Sequence, residues 1–146
     1  MKDMKELVRE FELAKDTKEF EDFLKRNETE MYKESFGDCV LRLCAKYKMT
    51  ASALQPQIAM SKSQFYNVLN GSRHPSKVSV IKIAFGLNAT QTELNEMLRA
   101  AGYCELDPRN KEDAIILFGL GHRKEVGKID ELLREYNSKI RLSDKE

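Results

Sequence analysis

The stretch TASALQPQIAMSKSQFYNVLNGSRHPS, residues 50–76, decides how this chain is read. It has the pattern of a short helix, a tight turn, a second helix and a stop. Ser61 followed by Gln64 is a capping box, in which each side chain satisfies a backbone N–H at the helix start. Phe65, Val68 and Leu69 recur at i, i+3 and i+4 and predict one buried face. Asn70-Gly71 predicts the helix end, because glycine tolerates the left-handed conformation of a C-terminal cap. Pro75 marks the next boundary. At about 100° per residue, the opposite side carries Ser63, Asn67 and Asn70, with Gln64 and Tyr66 on its flanks and Lys62 at its N-terminal tip. Amides read base edges in the major groove, and a lysine reaches a guanine or a phosphate. An ordinary solvated helix face has the same composition, so the residues alone leave both readings open.

Outward from this unit the pattern stays helical. Phe36, Val40, Leu43, Cys44 and Tyr47 predict a helix over 35–48. Ser76 predicts a cap for a helix through Leu87, with Val78, Val80, Ile81, Ile83 and Ala84 inward. Thr90 and Glu93 make a second capping box, opening a helix that buries Leu94, Met97 and Leu98. Before the core, Met4, Leu7, Phe11 and Ala14 form one stripe of an amphipathic helix over 2–14. A further helix over 18–26 is expected to bury Phe20, Phe23 and Leu24, and 27–34 to be a connector. The N-terminal stripe suits packing back onto the core or a partner helix. After the core, two helices are predicted at 109–120 and 124–137. Ala114, Ile115, Ile116, Phe118 and Leu120 form the first apolar side, with Gly119 and Gly121 loosening its end. Val126, Ile129, Leu132, Leu133 and Tyr136 form the second inner stripe. Such a pair extends the bundle or encloses a ligand pocket.

Composition sets the bounds. A chain of 146 residues with 41% hydrophobic and 34% charged residues is long enough for a real core. No apolar run approaches the ~18 residues of a membrane span, and the charged MKDMKELVRE start does not suit a signal peptide, so a cytoplasmic protein is expected. Cys39, Cys44 and Cys104 lack paired spacing and nearby histidines, so no zinc or other cofactor is expected. No phosphate loop, nucleophile elbow or HExxH motif is present, and two separated histidines without a nucleophile motif argue against an enzyme. The net charge of +1 conceals a gradient. Residues 35–82 carry seven Lys/Arg (Arg42, Lys46, Lys48, Lys62, Arg73, Lys77, Lys82) against Asp38 alone, whereas both flanks are net acidic. Basic charge gathered around an outward helix is the footprint of a phosphate-binding face.

Leu54, Ala59, Met60-Ser61, Phe65, Asn70-Gly71, Arg73 and Pro75-Ser76 together resemble the helix-turn-helix of phage-repressor and Xre-type regulators. With the tail included, from AGY through PRN and DAII to the LL-containing last helix, residues 35–137 resemble Xre-type proteins of Firmicutes. The resemblance departs at two places: Ala59 stands at the usual turn glycine, and Pro56 sits where the first helix should continue. It implies an all-α fold in which residues 35–102 form a five-helix core, with a helical extension at 1–34 and a helical pair at 103–146 packed on the core.

The implied activity is that of a sequence-specific regulator of transcription, a repressor or autoregulator, binding double-stranded DNA as a homodimer. Lys62, Ser63, Gln64 and Asn67 would read base edges. Ser61, Tyr66, Asn70, Arg73, His74 and Lys77 would hold phosphates. The rival reading is a protein-interaction adaptor or antitoxin-like module that keeps the fold without reading DNA. Pro56, the near-neutral total charge and the helical additions on both sides favour it, and they supply faces for a protein partner.

Overall fold

A computed structural model of the chain describes residues 2–31 and 34–145. Every regular element among the described residues is a helix, and none is long and apolar enough to cross a membrane. The chain divides into two compact units, residues 1–33 and residues 34–146.

The first unit is a helical hairpin of α1 (Met4–Leu13) and α2 (Thr17–Arg26). Each helix starts where an aspartate caps it: Asp3 accepts from the Glu6 N–H at 3.1 Å and Asp16 from the Glu19 N–H at 2.7 Å. Such a cap contributes about 1 kcal/mol. Phe11 meets Phe23 edge-on with ring centroids 5.8 Å apart. Asn27, fully buried, receives Lys2 Nζ at 2.6 Å and donates to Glu10 at 2.7 Å. The expected burial along both stripes is not found: Phe23 is covered, but Phe20, Leu24, Met4 and Phe11 are exposed and Leu7 and Ala14 half-buried. Two ten-residue helices share too little facing surface to cover both stripes. Of the expected connector, Asn27 and Glu28–Glu30 close α2 with a 3-10 turn, while Tyr32 and Lys33 lie outside the described residues.

The second unit holds α3 (Phe36–Lys46), α4 (Ala51–Leu54), α5 (Lys62–Leu69), α6 (Lys77–Leu87), α7 (Gln91–Ala100), α8 (Lys111–Gly121) and α9 (Val126–Glu135). From α3 to α8 each begins at a Ser, Thr or Asn whose side chain accepts an N–H of the first turn. Thr90 and Glu93 make the reciprocal box. One continuous core runs through all of them, from Phe36, Leu43, Leu54 and Phe65 to Ile116, Ile129 and Leu133. The helical pair after residue 102 contributes to the same hydrophobic core.

Helix α6 is buried around its whole circumference from Ser79 to Leu87, Lys82 included, so it lies inside the core rather than on its surface. At the far end three expectations are corrected. Phe118 and Tyr136 point outward, 45% and 57% exposed. Gly119 does not loosen α8, which continues to Gly121. A side chain at 119 would overlap the tip of Ile129, so this glycine lets α8 and α9 approach.

Candidate nucleic-acid interface

Pro56 shortens the first helix of the unit. One α-turn, Ala51–Leu54, passes into a 3-10 turn over Gln55–Gln57 with the proline at its start, where the missing N–H costs no internal bond. Leu54 stays fully buried. The turn that follows contains Ile58, Ala59 and Met60. Ala59 is not among the residues with positive φ, so the absence of a glycine there carries no strain. Two side chains from elsewhere hold the turn's carbonyls: Gln55 Nε2 donates to Met60 O at 3.2 Å, and Lys82 Nζ donates to Ala59 O at 3.3 Å.

Helix α5 follows, opened by the Ser61 hydroxyl, which accepts from the Gln64 N–H at 3.2 Å. Phe65 and Val68 are buried, and Leu69 packs partly buried against the same core. Phe65 also meets Tyr66 edge-on, centroids 5.3 Å apart, which fixes the tyrosine half-buried on the flank. Lys62, Ser63 and Asn67 are exposed, and Gln64 is half-buried. Gly71, with φ of +84°, turns the chain out of the helix as expected. Behind α5, Gly37 of α3 lies so close to Leu69 that any Cβ would collide with its carbonyl oxygen.

The loop after α5 is organised by Asn70 and His74, which the sequence singles out, together with Ser72 and Tyr103, which it does not. Asn70 Oδ1 accepts from the Ser72 N–H at 2.9 Å and the Ser72 hydroxyl at 2.5 Å. Tyr103 donates its hydroxyl to Pro75 O at 2.7 Å and sets its ring 5.7 Å from that of His74. Gln64, Arg73 and His74 thereby line one open groove with Ser76 and Ser79. Asn70, Arg73, His74 and Lys77 are exposed. Ser61, half-buried, is engaged as the helix cap.

The basic footprint is smaller than the sequence count suggests. Arg42 is bonded to Glu34 at 2.9 Å and Glu96 at 3.0 Å, and both hydrogen bonds push its guanidinium pKa up. Lys46 is paired with Glu93 at 2.6 Å. Burial pushes the Glu93 carboxyl up, but bonds from Lys46, the Tyr47 hydroxyl and the Thr90 N–H outweigh it and hold the pKa down to about 2. Lys82 is buried and bonded to backbone carbonyls. Lys77 lies 3.5 Å from Asp113. Lys48, Lys62 and Arg73 remain as exposed cations of this segment. Acidic partners from outside residues 35–82 account for Arg42, Lys46 and Lys77, and backbone carbonyls for Lys82; a linear charge count does not register either.

Of the three free cysteines, Cys104 is exposed. Cys39 and Cys44 are buried in the core, and burial pushes the Cys39 thiol up to about 11. A signal for Lys82 was present in the sequence as the single charge within the apolar run VSVIKIAFGL; no comparable signal marks Gly37 or Tyr103. No family model, curated protein or solved structure matches this chain.

Proposed function

We propose that the chain is a sequence-specific DNA-binding regulator of the phage-repressor or Xre helix-turn-helix type, acting as a repressor or autoregulator in the cytoplasm. The observation that carries the reading is α5 itself. It is a capped two-turn helix with Phe65 and Val68 inward and Lys62, Ser63 and Asn67 outward, narrow enough to enter a major groove. In this reading Lys62, Ser63, Gln64 and Asn67 meet base edges. The Ser61 end of the helix, Tyr66, Asn70, Arg73, His74 and Lys77 meet the flanking phosphates. Two copies reading half-sites about 34 Å apart would give useful specificity.

Selection of bound fragments from random duplex DNA tests it, followed by two variants. Asn67→Ala should cost about 1–3 kcal/mol on the selected site and relax preference at one base pair. Arg73→Ala should weaken all sequences alike and lower the salt slope by about one. Identical behaviour of the two variants on selected and random duplex would remove base reading from α5.

One observation favours a second reading, a protein-interaction adaptor or antitoxin-like module. Arg42, Lys46 and Lys82 are committed to partners inside the fold, which leaves few cations for phosphates. Titration of random duplex separates the two. A DNA binder shows steep salt-dependent affinity; an adaptor shows none at any salt.

A further inference from the structure

The α8–α9 pair has a face that the core does not use. Phe118 and Tyr136 are exposed there, and with Ile115 and Leu132 they line a shallow apolar groove. Beside it, Lys128, Glu131 and Glu135 of α9 follow at intervals of three and four residues, the spacing of one helical face, with Lys124 just ahead of the helix in line with them. These four line a second groove that shares Phe118 and Leu132 with the first. From one end to the other the face reads plus, plus, minus, minus along an apolar seam.

That order gains nothing from the helix it sits on. A helix dipole favours anions at the N-terminus and cations at the C-terminus, and this stripe runs the other way. Glu125 and Arg134 do follow the dipole. Within the chain Lys128 and Glu131 approach to 3.9 Å, but both are well exposed and such a pair contributes little. Laid antiparallel against a copy of itself, the same stripe sets every charge opposite its complement.

We infer that this face is the self-association surface of the chain: a second copy docks on it about a two-fold axis, α9 against α9. Lys124 and Lys128 of one protomer then oppose Glu135 and Glu131 of its partner, and the symmetry repeats both contacts. Phe118, Leu132 and Tyr136 of the two protomers are covered between them, which is the apolar centre that an interface of charged rim needs. The inference rests on the face alone; its use for reading paired half-sites depends on the DNA proposal.

Sedimentation of the full-length protein without DNA tests it. The wild type is expected to be a dimer at micromolar concentration, and Phe118→Glu and Tyr136→Glu monomers with wild-type helicity, since both positions are exposed. Lys124→Glu/Lys128→Glu and Glu131→Lys/Glu135→Lys are each expected to be monomeric alone and to form a dimer when mixed, a recovery that misfolding cannot imitate. A monomeric wild type, a dimer that survives Phe118→Glu, or a mixture that stays monomeric would overturn the inference. So would a dimer abolished by Phe11→Glu, which would put the contact on α1. A dimer that binds no duplex refutes the regulator reading and leaves this one standing; a monomer that binds duplex does the reverse.

Discussion

Two helix contacts in the larger unit are closed by a glycine, and the two glycines do different work. Between α3 and α5, Gly37 faces the Leu69 carbonyl. Between α8 and α9, Gly119 faces the end of the Ile129 side chain, whose Cγ1 would lie 2.5 Å from an added Cβ. A carbonyl in a packed helix cannot move aside without moving the helix, whereas an isoleucine changes rotamer at modest cost. The first contact therefore sets where α5 stands, and with it the position of Lys62, Ser63 and Asn67. The second sets how tightly the terminal pair closes. Position at α5 is held by backbone, and closure at α8–α9 by side chain.

Gly37→Ala is the harshest challenge to that distinction. It should cost about 3 kcal/mol or more, lower the urea midpoint, and abolish whatever α5 binds. A variant with wild-type stability would mean that the two backbones are not in contact. Gly119→Ala should cost less, about 1–3 kcal/mol, and Ile129→Val in the same chain should recover part of it. If no stability returns in the double variant, the side-chain account of this contact is wrong.

Acid titration sharpens the comparison from the other side of α3, where Glu93 of α7 holds Lys46 and Tyr47 at 2.6 and 2.5 Å. The carboxyl is held well below its ordinary 4.5, down to about 2. Its contribution is complete above the unfolded value and drains away as pH falls from about 4.5 to about 2. Glu93→Gln should be less stable than wild type at neutral pH, with the gap closing across that window. A gap that does not change with pH would show that the charge is not what the two α3 groups hold. Smallest is Lys128→Ala, which removes an exposed pair and should shift the melting temperature of the monomer by no more than experimental scatter.

Local signals carried most of the fold. Ser61, Ser76 and Thr90 each mark a helix start and each is a cap in the structure. Gly71 marks a stop and has the expected positive φ. These were legible because a cap or a turn depends on a few adjacent residues. The outward face of α5 was legible for the same reason, being a matter of period. Burial at Phe20, Leu24, Phe118 and Tyr136 was not, because periodicity says which side of a helix is apolar but not whether anything covers it. The pairing of Arg42 and Lys46 with residues about fifty positions away was hidden in the same way. Distant partners leave no local mark.

The buried ammonium of Lys82 joins the Ala59 carbonyl to that of Asp144, at 3.3 and 2.5 Å. Next to it, Asp130 of α9 fastens the Leu142 and Ser143 amides at 2.7 and 3.0 Å. Two segments some eighty-five residues apart in sequence thus hang from one nitrogen. A protease cut or an affinity tag placed close to Asp144 would be felt at the bend ahead of α5, so amide exchange near Met60 should serve as a gauge of damage at the opposite end of the chain.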